Sequence, residues 1–268
     1  MTQVFTALVT GATAGIGRAT SVQLALDAIG RGARPRIVVA GSKPSPELQS
    51  LLSELEAVGA QALGVTADLA DAEACERLAR DATEFCGGQL DALVSNAGAG
   101  KGGALAGLPV AEWDRLFNLD CRATWLVARG CHEALRNAKG SVVAVASMAG
   151  LYPHAGSGAY SSAKAALIML CRQLAQEWAP EGIRVNTVSP GMVRTRQTEA
   201  VYQNEDVASI RRSLVPLENR IGTPEDIATV ISFLASPGAA YVTGSDLRAD
   251  GGFCDSLLAK LPGLPRRA

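Results

Sequence analysis

Histidine is nearly absent from this chain: two occur among 268 residues. The six cysteines stand at 75, 86, 121, 131, 171 and 254, and none forms CxxC. So sparse and scattered a set argues against a zinc or other metal site and fits reduced thiols serving as small core hydrophobes. Neither sign of charge prevails, since 25 Lys and Arg face 26 Asp and Glu for a formal net charge of -1. That balance gives no electrostatic reason to expect nucleic acid or a membrane surface as partner. No apolar run approaches the ~20 residues needed to span a bilayer. The N-terminus lacks the basic start and apolar block of a secretory signal. Internal repeats and low-complexity tracts are missing as well. The expectation is a soluble, cytoplasmic protein. Its 48% hydrophobic content supports a sizeable core, and α/β chains of this length are often one domain.

What is present is an alternation of apolar runs and amphipathic stretches. Residues 4–10 read as a buried strand. They lead into Thr10-Gly11-Ala12-Thr13-Ala14-Gly15-Ile16-Gly17, after which Ala19, Val22, Leu24 and Ala25 recur at helical spacing. Strand, glycine turn and helix form the context a dinucleotide fingerprint requires. Glycines let the backbone approach a pyrophosphate, and the helix N-terminus offers free N–H groups and a favourable dipole. The spacing is GxxxGxG rather than GxGxxG, and a glycine turn without cofactor is the plain alternative. Further strands are expected at 37–40, 61–66, 90–94, 141–146, 183–188 and 247–249. Helices are expected at 47–58, 71–86, 112–135, from Ser157 or Gly158 to 179, and from Thr223 to 234. Asp71 is a plausible N-cap, and Pro224 suits a first helical turn. The link over 30–35 looks long for an αβ connection. The helix ending at 179 is apolar around much of its circumference, which predicts burial in the core or against another subunit. Residues 194–215 are more polar and helical, and a lid over 192–215 is weighed against plain surface helices. Strands alternating with helices of this length predict parallel βαβ units in a sheet covered on both faces. The chain therefore reads as one domain over 1–255 with a tail over 256–268, loose and basic from 262 onward.

Chemistry concentrates between Ser147 and Lys164. Ser147 sits at the carboxyl end of a central strand, where open α/β sheets place their ligands. Tyr160 and Lys164 are four apart, so a helix puts both on one face. A phenol is ordinarily a poor acid, with a pKa of ~10. A nearby ammonium favours the phenolate, and a tyrosine so placed can act as general acid or base. YxxxK alone reads more readily as an ordinary helix with one tyrosine and one lysine. After the second strand, Gly41-Ser42-Lys43 contains no acid to hold a ribose 2′-hydroxyl, and Lys43 is near. That favours NADP over NAD, although a surface lysine reads the same way.

In their order and spacing these residues resemble the short-chain dehydrogenase/reductase family, from Thr10 to Gly252. Thr10-Gly11-xxx-Gly15-Ile16-Gly17, with Thr13, resembles the family's cofactor loop. Asp68, followed by Leu69, matches the acid that contacts adenine. Asn96-Ala97-Gly98 matches the turn after the fourth strand, with Ser95 where a second Asn is common. Ser147, Tyr160 and Lys164 match the catalytic serine, tyrosine and lysine. Pro190-Gly191-Met192-Val193-Arg194-Thr195 resembles the loop that holds the nicotinamide amide, with Thr195 as the contacting hydroxyl. Asp250-Gly251-Gly252 matches the C-terminal turn.

The resemblance implies a single Rossmann-type domain, a doubly wound seven-stranded parallel sheet flanked by helices. It implies hydride transfer between NADP or NAD and a ketone or secondary alcohol. Tyr160 would act as general acid or base, Ser147 would hydrogen-bond the substrate oxygen, and Lys164 would favour the phenolate and hold the ribose. It also implies a homotetramer or homodimer packed through the two long helices. The three-residue gap between Tyr160 and Lys164 argues against the related enoyl reductases.

Two departures stand out. The family's fourth catalytic residue is an Asn in the long helix, and Asp120 occupies that position. Asn118 lies about 200° around an α-helix from it, a poor substitute. A carboxylate near Lys164 would partly neutralise the ammonium. The second departure is Ala14, where NADP-preferring members often carry a basic residue, and it counters the lean towards NADP. For substrate, Tyr152, His154 and Met192 are candidate pocket residues beside Ser147 and Tyr160, with an exposed loop histidine as the plainer reading of His154. The rival from another class is a catalytically impaired NAD(P)-binding sensor or scaffold, which Asp120 alone favours. A sugar-nucleotide epimerase would usually need a longer chain.

Overall fold

A computed structural model of the chain describes residues 3–100 and 102–256. In chain order the first half runs β1 (Val4–Thr10), α1 (Gly15–Gly30), β2 (Arg34–Gly41), α2 (Pro46–Ala57), β3 (Gln61–Thr66), α3 (Ala72–Phe85) and β4 (Ala92–Ser95). Next come α4 (Val110–Phe117), a wide π turn (Asn118–Arg122), α5 (Ala123–Gly130), α6 (His132–Ala138) and β5 (Ser141–Val145). The remainder is α7 (Tyr160–Trp178), β6 (Arg184–Pro190), α8 (Glu199–Tyr202), α9 (Glu205–Ser213), α10 (Pro224–Ala235) and β7 (Asp246–Ala249). All strand pairs are parallel, in the order β3-β2-β1-β4-β5-β6-β7. This is the expected doubly wound, Rossmann-type single domain.

The strands alternate side chains between two cores. Leu8, Val38, Leu93, Val142 and Ala144 face one, packed under α3, α5 and α7. Ala7, Val9, Ile37, Val39, Val94, Val143 and Val145 face the other, under α1, α2 and α10. Burial on both faces explains why the strands read as continuous apolar runs. Each fully buried leucine or isoleucine contributes about 1.5–3 kcal/mol to that packing. Caps fix where helices begin. The Ser45 side chain accepts the Leu48 N–H ahead of α2, Asp71 accepts from Glu73 and Ala74 ahead of α3, and Thr223 and Asp226 form a reciprocal box at α10.

Several boundaries differ from expectation. β2 begins at Arg34, so the link after α1 is short. Pro35 is tolerated because pairing to β3 starts only at Arg36, so its missing N–H costs no ladder bond on that side. The single helix expected over 112–135 is broken twice, at the π turn and again at Cys131. Beside the second break, a Cβ on Gly130 would lie 2.5 Å from the Ala79 Cβ of α3. The close approach selects glycine, which also weakens the helix. α7 begins at Tyr160 because Gly158 has φ +58°, outside helical backbone. Ala163, Leu167, Leu174 and Trp178 face the core, but Met169 is 60% exposed. Residues 194–215 hold two short helices, α8 and α9. Of the tail expected over 256–268, Ser256 is buried, and the rest lies outside the described residues. Among the described residues, no helix is long and apolar enough to cross a membrane.

Candidate active site

The strand order reverses between β1 and β4, which opens a crevice beyond their carboxyl ends. Thr10 and Asn96 tie the two loops together there. The Asn96 and Ala97 N–H groups both donate to Thr10 Oγ1 at 3.0 Å. Asn96 Nδ2 returns bonds of 3.0 Å to the Thr10 and Gly11 carbonyls. Gly11 has φ +61°, and a Cβ on it would sit 2.8 Å from the Ala97 Cα; one on Gly17 would sit 2.4 Å from the Gly11 carbonyl oxygen. The backbone is thus drawn into a tight cradle. No side chain caps the first turn of α1 and no acid stands in it, which leaves its N–H groups and positive dipole end for an anion.

The cradle floors a cleft of about 500 Å³. Gly11, Thr13, Gly15, Ile16, Ser42, Asp68, Leu69, Asn96, Ala97, Gly98 and Thr195 all line it, as a cofactor site expected of them. Asp68 Oδ1 also accepts the Ala70 N–H at 3.1 Å, which fixes the turn before α3. Gly17 lies beneath the cradle rather than in the lining, and Val193 is buried. Pro190 closes β6, and Gly191 packs against Asp250, where a Cβ would meet the Asp250 Cβ at 2.5 Å. Lys43 is exposed and outside the lining. Sequence reading missed Arg115, Arg196 and Gln197, which do line the cleft. A nicotinamide dinucleotide fits this donor set: a glycine cradle and helix N-terminus for the pyrophosphate, an acid and an apolar side chain for the adenine.

On the other side of Gly98 lies a buried charge pair. Lys164, 3% exposed, donates from Nζ to the Val145 carbonyl at 2.9 Å, and the same Nζ lies 3.2 Å from Asp120 Oδ1. The π turn carries Asp120, which is 1% exposed, into this contact; such turns recur at functional sites. Neither carboxylate oxygen has a well-aligned hydrogen bond among the described residues, so the pair is held by charge more than by directed bonding. Burial pushes the Asp120 carboxyl above its ordinary pKa, against the opposing pull of Lys164 and the nearby Ala99 N–H. Burial opposes the Lys164 charge too, but Asp120, then Tyr160, outweigh it and hold the ammonium's pKa above the usual lysine value.

Ser147 and Tyr160 are brought to the same pair. Ser147 caps a short turn (Met148–Gly150), its Oγ accepting the Ala149 N–H at 3.1 Å. That turn docks directly on α7, since a Cβ on Gly150 would lie 2.8 Å from the Lys164 carbonyl carbon. Tyr160 opens α7, and Lys164 Nζ lies 5.7 Å from its ring centroid. Gly100 of the loop after β4 packs on the same ring. The arrangement sets a hydroxyl, a phenol and a buried cation beside a phosphate-sized cradle, which suits proton transfer next to a bound dinucleotide.

The remaining substrate candidates lie further out. Tyr152 is 43% exposed, and its hydroxyl accepts from Arg248 Nη1 at 2.8 Å. His154 is exposed. Met192 lines a separate cavity of about 620 Å³ with Val215, Gly222 and Gly251.

Comparison with known proteins gives concordant matches. A family model described as enoyl-(acyl carrier protein) reductase matches residues 11–254. The Homo sapiens protein named dehydrogenase/reductase SDR family member 2, mitochondrial, is 35% identical over 246 residues, spanning 91% of this chain and 85% of its own length. A provisionally assigned NAD(P)-dependent gluconate 5-dehydrogenase from Beutenbergia cavernae, with NADP bound at low occupancy, superposes with a TM-score of 0.84 at 32% identity, covering 95% of this chain and 98% of that one. A 7α-hydroxysteroid dehydrogenase complexed with NADH and 7-oxo glycochenodeoxycholic acid gives a TM-score of 0.84 at 27% identity, over 93% of this chain and 94% of that one.

Proposed function

Because this chain belongs to the short-chain dehydrogenase/reductase family of oxidoreductases, we propose that it interconverts a ketone and a secondary alcohol at the expense of NAD(P)(H), with Tyr160 as general acid and base. The observation that supports this reading is the packing of the turn after Ser147 on α7 at Lys164, whose ammonium lies next to Gly98 of the dinucleotide-sized cleft.

When bound, the nicotinamide cofactor supplies or accepts the hydride. The chain does the rest. The cradle of Gly11, Gly15 and the α1 N-terminus holds the pyrophosphate, Asp68 and Leu69 the adenine, and Thr195 the nicotinamide amide. Ser147 Oγ donates to the substrate oxygen and fixes it near the phenol. In reduction the Tyr160 hydroxyl gives its proton to that oxygen; in oxidation its phenolate takes the proton from the alcohol. The Lys164 ammonium stabilises negative charge on the phenol oxygen and binds the ribose. Residues 192–215, with α8 and α9, form a lid over the site. A homotetramer or homodimer packed through α7 follows from the family pattern, and Met169 on that helix is exposed in the single chain. The relatives act on substrates as unlike as a sugar acid and a steroid, so the substrate class stays at carbonyl and secondary alcohol. The Tyr160-to-Lys164 spacing favours that class over enoyl reduction.

A second reading, an impaired NAD(P)-binding sensor, is favoured by one observation, the Asp120 carboxylate against Lys164. Turnover of NADH and NADPH against a panel of ketones and secondary alcohols separates the two. With Tyr160→Phe, kcat is expected to fall about 100- to 10,000-fold, the usual contribution of a positioned acid or base, while dinucleotide binding persists. Dinucleotide binding by the wild type with no turnover on the whole panel would support the sensor.

A further inference from the structure

We propose that Arg196 is the residue that recognises a phosphate on the cofactor's adenosine ribose, and that Glu47 holds it ready across the cleft. The inference rests on the reading of the cleft as a dinucleotide site and names its specificity-determining cation.

The carboxyl end of β2 is where a dinucleotide's adenosine ribose is read. No acid stands over 41–46, and a Cβ at Gly41 would meet the Thr13 methyl at 2.7 Å, so any side chain there would have to displace Thr13. A protein built for NAD would carry its ribose-binding carboxylate there. Lys43, the nearest cation in sequence, is exposed and outside the lining. Arg18 is committed to α2, donating to Glu54 at 2.6 Å, to Ser50 at 3.1 Å and to the Glu47 carbonyl at 3.2 Å. Arg115 lines the cleft from α4, which follows β4 rather than β2.

Arg196 alone of these reaches over the β2 side from within the cleft. It lines the same cleft as Gly41 and Ser42, and its Nη1 donates to Glu47 Oε1, in the first turn of α2, at 2.8 Å. Thr195, beside it, packs its methyl at 3.4 Å from where a Gly15 Cβ would be, so the loop that carries Arg196 is seated on the cradle. The ion pair is solvent-exposed on both sides, 74% and 41%, so it is weak and a phosphate can displace the carboxylate. A guanidinium binds phosphate through two parallel N–H bonds, a geometry a lysine cannot reproduce. Glu47 thus keeps Arg196 extended along the cleft edge until a phosphate replaces it.

Calorimetric titration of the purified protein with NADPH, NADH, adenosine 2′,5′-bisphosphate and ADP tests this. The wild type should bind NADPH more tightly than NADH. Arg196→Ala should weaken NADPH and adenosine 2′,5′-bisphosphate by about tenfold or more, the size expected for a charge-assisted hydrogen-bond pair, and leave NADH and ADP within about twofold. Arg196→Lys should recover only part of the loss, and Glu47→Gln should tighten NADPH. Equal weakening of both dinucleotides by Arg196→Ala, no weakening of either, or a wild-type preference for NADH would overturn this inference and leave the cleft's reading intact. A wild type that binds neither dinucleotide would overturn that reading and the inference with it.

Discussion

Two ion pairs flank the same cleft and differ in almost every physical respect. Lys164–Asp120 is sealed inside, its side chains 4% and 0% exposed, with a backbone carbonyl as the ammonium's other partner. Arg196–Glu47 spans the cleft edge in solvent. Both are short, so distance does not separate them. Dielectric does: the same charges interact several times more strongly in a protein interior than in water, and they also lose hydration on entering it. The buried pair is therefore fixed architecture, costly to break from one side. The exposed pair is a provisional contact that a better anion can replace. A site that must hold a proton-handling group still while it exchanges a cofactor has use for both kinds.

The largest effect should come from breaking the buried pair on one side only. Lys164→Met leaves the Asp120 carboxylate alone in the interior, at a cost of about 3–5 kcal/mol in unfolding free energy. Replacing both, with Asp120→Leu added, should recover most of that loss, because two apolar side chains need no partners. Denaturant unfolding of the single and double variants reads this directly, and equal destabilisation in both would show that the charges are not coupled. The softer change, Asp120→Asn, is read through pH. Asp120 helps to raise the Lys164 pKa, so the stability this lysine contributes is complete below its unfolded value of ~10.4 and is lost as pH rises through the higher folded value. Without the carboxylate that folded value falls. The alkaline limb of the unfolding profile, and of any kcat profile, should move to lower pH; a limb that stays in place would remove Asp120 from the titration.

A smaller effect should follow from wedging the buried pair rather than removing it. A Cβ on Gly98 would stand 2.5 Å from Asp120 Oδ1 and 3.1 Å from Lys164 Nζ. Gly98→Ala must push the pair apart or shift the loop after β4, for about 1–3 kcal/mol of overpacking strain. Because Gly98 also lines the cleft, dinucleotide affinity should fall in the same variant. Unfolding measurements that match the wild type would mean the loop yields freely.

The contrast between the pairs also marks how far the sequence could be read. The strands were legible because a sheet buried on both faces leaves apolar runs such as Leu8-Val9 and Val142-Val143. The glycine cradle was legible because strand, glycine turn and helix follow one another locally; Ser147, Tyr160 and Lys164 stood out only through the resemblance to a family pattern, since YxxxK alone reads as an ordinary helix. Asp120 was legible as a departure from a pattern, but the π turn that delivers it was not. No composition marks that turn. Gly130 escaped as well: Ala79, far away in sequence, leaves no room for a Cβ there. Arg196 escaped entirely. It follows Thr195 in an irregular loop, and its partner Glu47 lies 149 residues away, so nothing in either local pattern joins them.

The exposed pair should give the smallest response, and its smallness is what makes the comparison sharp. In the cofactor-free protein, Arg196→Ala, Glu47→Gln and the double variant should each leave Tm within about 2 °C of the wild type, since solvent-exposed pairs contribute little to folding. Any coupling between the two sites should vanish near 1 M salt, where the screening length shrinks to about 3 Å. The Lys164–Asp120 coupling should survive the same salt, because no ions enter a buried contact. Thermal melts of both cycles at low and high salt would settle the point. If the Arg196–Glu47 coupling proved large, or persisted at high salt, the cleft edge would be a structural clasp, and a phosphate would have to break it rather than inherit it.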